Sequence, residues 1–165
     1  MASKNPLAEK DVDRYFRANA GVVVVNSQGQ VLALERRRQQ GAWQFPQGGV
    51  DPGEALLKTA ERELEEETGL VTGRDIRFLS ELPEWVGYEL PEDWRSTKTG
   101  RGQVQRWFFF QVLDDNIQLD LENVKDKEFR DWKWMSMDDL LEIVVPFRRP
   151  VYQRLKHWLE STQND

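Results

Sequence analysis

Five glutamates fall within seven positions of one predicted helix: Glu61, Glu63, Glu65, Glu66 and Glu67. No other feature of the chain restricts its fold as much. Glu63, Glu66 and Glu67 are spaced i, i+3 and i+4 and therefore share one helical face. Like charges at that spacing repel, by about 0.2–0.5 kcal/mol per pair on an exposed helix. Such a face is stable when water solvates it or when a cation offsets it, and carboxylate oxygens are what a hard divalent cation prefers. The flanks are also specific. Asp51, Pro52 and Glu54 form a helix start, with Asp51 suited to capping and Glu54 where a capping box places an acid. Gly48 and Gly49 precede it in a loop that lets backbone approach a ligand, and Gly69 stops the helix.

The remaining elements can be read along the chain. Ala20–Asn26 is a β-branched run followed by a turn at Ser27-Gln28-Gly29-Gln30 and by Val31–Glu35, which together predict a hairpin. Trp43–Pro46 is a short extended piece, and Gly48–Gly53 is a loop. The helix runs from about Pro52 to Thr68, with an extended segment after it at Ile76–Leu82. The stretch from Trp85 to Gly102 is a long polar loop. Gln103–Leu113 and Phe129–Met135 are strands, Ser136 caps a helix over Met137–Ile143, and Pro146 breaks it. A last helix covers Pro150–Glu160, with Val151, Leu155, Trp158 and Leu159 at helical spacing. Strands, helix, strands, helices in that order imply a layered α/β domain with a mixed sheet.

Length and composition narrow the function. The 165 residues suit one domain, taken as residues 15–162, after a loose polar segment 1–14. No apolar run approaches the roughly 20 residues that span a bilayer, and MASKNPLAEKDVDRYF lacks a signal-peptide core, so no membrane partner and a cytoplasmic location are expected. The absence of cysteine excludes disulfides, thiolate metal sites and cysteine nucleophiles. The single histidine, His157, cannot build a histidine-rich zinc site. A net charge of −6 is a poor match for a protein that coats long nucleic acid, while a small anionic substrate needs only a local positive cluster or a bound cation. Arg95, Lys98, Arg101 and Arg106 are candidates for such a cluster on the long loop.

The segment GGVDPGEALLKTAERELEEETGL resembles the Nudix box at nine constrained positions: Gly48, Glu54, Arg62, Glu63, Leu64, Glu66, Glu67, Gly69 and Leu70. The resemblance continues in Tyr15–Gly21, Trp43–Gly49, Trp85–Pro91, Gly102–Phe108, Glu128–Trp132 and Val145–Tyr152, over about residues 15 to 155. These stretches are similar to the branch containing asymmetric diadenosine tetraphosphate hydrolases and bacterial RNA 5′-pyrophosphohydrolases.

The resemblance implies a Nudix fold, a mixed β-sheet sandwiched between α-helices (α/β/α). It implies a monomeric hydrolase of phosphoanhydride bonds in nucleoside polyphosphates that uses Mg²⁺, with Mn²⁺ as a substitute. Its metal set is Glu63, Glu66, Glu67 and the Gly48 carbonyl, joined by Glu128. The catalytic set is Glu66, Glu67, Glu128 and Arg62, with Arg62 and Glu54 bracing the box more than performing chemistry. Whether Glu128 or a box glutamate is the base stays open. Arg17, Arg36, Arg37 and Arg148 are phosphate candidates, and Tyr88 and Phe147 are the aromatic pair expected to stack on a base. The acidic charge favours diadenosine tetraphosphate, cut to ATP and AMP, over the alternative, pyrophosphate removal from 5′-triphosphate RNA. A third reading, an inactive nucleotide-binding module, conflicts with a box that keeps every glutamate.

Overall fold

The computed structural model describes residues 9–163. Two apolar runs form the middle of its sheet. Strand β1 (Phe16–Val25) lies parallel to β7 (Gly102–Val112), in register from Phe16 opposite Gly102 to Val25 opposite Gln111. Central parallel strands are covered on both faces, which is why VVVV and WFFF run without polar interruption. Their side chains alternate between two cores. Ala20, Val22, Val24, Phe108 and Phe110 enter one, while Val23, Val25, Trp107 and Phe109 enter the other.

The other strands are β2 (Val31–Arg36), β3 (Trp43–Gln44), β4 (Gln47–Gly49), β5 (Ile76–Glu81), β6 (Val86–Glu89) and β8 (Phe129–Met135). The order is β3-β2-β1-β7-β5, with β4 paired to β1, β6 to β7 and β8 to β2. Helix α1 (Leu56–Thr68) covers the first core through Ala60 and Leu64. Helices α2 (Met137–Ile143) and α3 (Arg149–Gln163) cover the second through Leu140, Val151, Tyr152 and Leu155. Full burial of a side chain such as Leu64 is worth about 1.5–3 kcal/mol. The expected mixed sheet between helices is therefore the observed architecture, and no described helix is long and apolar enough to cross a membrane.

Four local expectations are corrected. Helix α1 begins at Leu56 rather than Pro52, with Ala55 as a cap that offers no side-chain bond. Gly53 has φ of 77°, so Asp51–Glu54 closes a turn, Glu54 N–H to Asp51 carbonyl at 3.0 Å, before the helix starts. Gly48 lies in β4, opposite Ala20 of β1, not in a loop. The polar stretch after Trp85 contains β6, because Val86, Tyr88 and Leu90 alternate against β7 and the last two are buried. Of the segment expected to be loose, residues 1–8 lie outside the described residues. Glu9–Arg14 forms a 3₁₀ turn, tied by Asp13 to Arg95 at 2.7 Å.

Gly21 shows how tightly the central strands are packed. A Cβ there would come about 2.5 Å from the Trp107 ring, which lies across the glycine from β7. We predict that Gly21→Ala lowers stability by about 1–3 kcal/mol in urea denaturation. A change under about 0.5 kcal/mol would mean that the ring is free to move aside.

Candidate metal and phosphate site

The site forms where α1, β4 and the loop before β8 meet. Its organiser is Arg62. Nε and Nη2 of Arg62 donate to the two carboxylate oxygens of Glu54, at 2.8 and 3.0 Å. Nη1 donates to Glu63 at 2.9 Å and Glu66 at 3.3 Å, and Nη2 also reaches the Gly49 carbonyl at 3.0 Å. The hydrogen bond from Arg62, helped by the Thr59 hydroxyl, lowers the Glu54 carboxyl to a pKa of about 2. Glu54 and Arg62 thus brace the turn against the helix, and Arg62 at the same time offsets two acids on the crowded face.

Gly48 is the other half of this arrangement. Any Cβ there would collide with the carboxyl group of Glu63, so glycine is what lets that carboxyl lie against β4. Burial raises the pKa of Glu63. Glu67 sits deeper, 6% exposed, and its Oε2 has no hydrogen-bond partner. Burial first, and then the charges of Glu63, Glu128 and Asp126, push its pKa up to about 9. A buried carboxyl with an unmet oxygen, facing further acids, fits a hard divalent cation as its missing partner, and every donor is oxygen.

One carboxylate oxygen from each of Glu63, Glu66 and Asp126 lies within 4.8 Å of the others. Sequence reasoning passed over Asp126. Its only signal is a third acid two positions before Glu128. The Asp126 N–H donates to the Glu66 carbonyl at 2.9 Å, so the loop is attached to the helix at this point. Glu128 is exposed and lines the two clefts that Glu67 also lines.

The predicted arginines separate. Arg36 lines both clefts and pairs with Glu128 at 3.4 Å. Arg37 is a clamp. It donates to the carbonyls of Leu121, Lys127 and Phe129 and to Glu122, and it borders neither cleft. Arg17 lies across β4 beside Gly48 and Lys98, donating to the Thr97 carbonyl at 3.1 Å. Arg148 is buried, donates to Gln44 at 2.9 Å and faces the Tyr88 and Phe147 rings. Arg38, Lys125 and Lys127, unassigned from sequence, rim the acidic cleft beside Arg36. The loop patch is largely neutralised: Arg95 pairs with Asp13, Arg101 with Glu89, and Arg106 with Glu81.

Tyr88 and Phe147 do meet, with ring centroids 5.4 Å apart and planes tilted by 35°. A third ring between them would need roughly 7 Å at ordinary carbon contact distances, so no base fits between them; Tyr88 is part of the second core, with one side on the cleft, and Phe147 packs against that core. Tyr88 is held from behind, its hydroxyl accepting from Gln47 at 2.9 Å. Trp94, 43% exposed and edge-on to Phe147 at 5.4 Å, lines the cleft and was not foreseen. Its position followed from the 3₁₀ turn Glu92–Trp94, which the loop's composition concealed.

Glu67 gives a stability test. Its folded pKa lies above its ordinary carboxylate value of 4.5, so its contribution is complete below about pH 4.5 and is lost as pH rises toward 9 in metal-free protein. A divalent cation favours the charged form and reverses that loss. The gain in Tm on adding Mg²⁺ to chelator-treated protein should therefore grow between pH 6 and 9. A gain that stays flat across that range would show that Glu67 does not face the cation.

Comparison with known proteins follows the same lines. The NUDIX domain family matches residues 15–155. An RNA pyrophosphohydrolase of Erythrobacter litoralis is 40% identical over 146 residues, 86% of this chain and 88% of the relative. One from Rhodospirillum rubrum is 38% identical over 143 residues, 85% of this chain and 84% of the relative. Among solved structures, a C. elegans Ap4A hydrolase binary complex superposes with a TM-score of 0.65 at 20% identity, covering 88% of this chain and 98% of that one. The E. coli dihydroneopterin triphosphate pyrophosphohydrolase does so with 0.69 at 21% identity, covering 85% and 95%. Likeness at these identities concerns the fold alone. The Nudix family generally uses divalent metal ions. With its box residues assembled as described and the match running from Tyr15 to Leu155, the chain belongs to the NUDIX domain family.

Proposed function

We propose that this chain is a Mg²⁺-dependent pyrophosphohydrolase that removes pyrophosphate from the triphosphorylated 5′ end of RNA. The observation that carries the reading is a single cleft of about 290 Å³ whose walls combine two chemistries. Glu67, Glu128 and Arg36 line it together with Tyr88, Trp94 and Arg148. Acids that take a cation therefore sit within one nucleotide's reach of rings that take a base. The names of relatives 38–40% identical support RNA as the substrate, and this reverses the order that net charge alone suggested. Recognition of an end needs only local positive charge, here Arg36, Arg38, Lys125 and Lys127 around the acids.

Diadenosine tetraphosphate is the second reading. Arg95, Arg101 and Arg106 are paired with acids, which leaves little positive track for a long strand and favours a short substrate.

In this reading Glu63, Glu66, Glu67 and the Gly48 carbonyl hold the cation. The bound ion would offset phosphate charge and make the attacking water more acidic. Glu128, at the open mouth, accepts the proton of that water. Arg36 stabilises charge on the phosphate oxygens once substrate draws it from Glu128. Tyr88 and Phe147, with Trp94 beside them, stack on the base and set the distance from base to reacting phosphorus. Attack on the phosphoanhydride forms one P–O bond from water and breaks another, so pyrophosphate leaves and 5′-monophosphate RNA remains.

Equal concentrations of a short 5′-triphosphate RNA and diadenosine tetraphosphate, offered together with Mg²⁺, test the choice. Monophosphate RNA should appear first, and preferential ATP and AMP would move the proposal to the second reading. Glu128→Gln should lower kcat by about a hundredfold or more with an unchanged melting curve. Near-normal turnover would remove Glu128 from the chemistry. Phe147→Ala should raise KM more than it lowers kcat, and the opposite split would mean that Phe147 does not grip the ground state.

A further inference from the structure

We propose that Asp126 supplies a cation ligand from outside the glutamate helix, a residue-level extension that rests on the metal-dependent reading above. The first support is the way its backbone is fixed. Its N–H donates to the Glu66 carbonyl at 2.9 Å, and Arg37 holds the Lys127 carbonyl at 3.1 Å just beyond it. A surface aspartate on a free loop would drift away from other acids, whereas this one is held against them.

The second support is charge. Oxygens of Asp126, Glu63 and Glu66 lie within 4.8 Å of one another. Arg62 serves Glu63 and Glu66, and Lys125 turns to Glu66 at 3.1 Å. Among the described residues Asp126 has no ion-pair partner. Arg36, Arg38, Lys125 and Lys127 rim the same cleft without pairing with it.

The third support is Glu67, which lies outside the group of three and against one of its members. Glu67 is more than nine-tenths buried behind it, with its carboxyl against that of Glu63 and one oxygen unmet. Oxygens on opposite sides of one hard cation lie about 4.0–5.2 Å apart at metal–oxygen distances of about 2.0–2.6 Å, so oxygens within 4.8 Å of one another are close enough to share one ion. An ion placed there would draw ligands from both the helix and the loop. The loop before β8 would then report occupancy directly to Glu128, two residues on.

Calorimetric titration of the full chain with Mn²⁺, without substrate, tests this apart from activity. Asp126→Asn should weaken Mn²⁺ binding about tenfold while melting in chelator does not fall, since the change also relieves repulsion. Glu65→Gln, which removes an exposed charge from the same helix, should stay within about twofold. Equal weakening by both variants would reduce Asp126 to general charge and overturn the proposal. So would wild-type affinity in Asp126→Asn alongside a clear loss in Glu66→Gln, an outcome that leaves the metal-dependent reading standing. Failure of the wild-type chain to bind Mn²⁺ would overturn both.

Discussion

Arg62 reaches four carboxylates, Asp51, Glu54, Glu63 and Glu66, from a helix whose own acids repel one another. A bidentate bond to Glu54 fixes its plane, and the remaining donors are then aimed at Glu63 and Glu66. An arginine does this better than a lysine because its planar fork serves several acceptors at once with little loss of freedom. Remove the guanidinium and the turn at Asp51–Glu54 loses its tie to the helix while two acids lose their counter-charge. The acidic face can persist before any cation arrives because this residue holds it together.

The sheet supplies the other constraint. The parallel pair β1–β7 carries β4 on the outer edge of β1 and β6 on the outer edge of β7, both at one end, so Gly48 meets Glu63 and Tyr88 meets Phe147 of the C-terminal part of the chain. An amide chain sets the distance between them. Gln105 donates to Gln47, Gln47 donates to the Tyr88 hydroxyl, and Asn19 donates to Gln103 nearby. Buried polar groups of this kind are costly unless paired, and once paired they allow few alternative arrangements. Gly48 and Tyr88 thus sit at a spacing set by strands, while Trp94, Phe147 and Asp126 come from the segments between them.

Much of this was legible in the residues. The glutamate spacing, the glycine stop and the apolar runs gave the helix, its end and the main strands, and the resemblance to the Nudix box implied helices on both faces of the sheet. The box gave Glu63, Glu66, Glu67 and Gly48 as a group. The misses have identifiable causes. Gly87, Pro91 and Lys98 made the segment after Trp85 look like a loop, although Val86, Tyr88 and Leu90 carried a strand's alternation. Arg37 and Arg36 are adjacent and chemically identical in sequence, yet one closes a loop and the other borders the cleft.

Local chemistry by itself determined which segment would be acidic, where its helix would stop and which apolar runs would form the main strands. These follow from nearest-neighbour sterics, spacing and hydrophobicity, all of which operate within a few residues. Only the tertiary structure decided that Asp126 joins Glu63 and Glu66 across about sixty positions, that Glu67 is desolvated while Glu65 is not, and that Trp94 lies against Phe147. Charge coupling, desolvation and ring contact depend on distances through space. Those distances are fixed only when α1, β4 and the loop before β8 have packed against the same sheet.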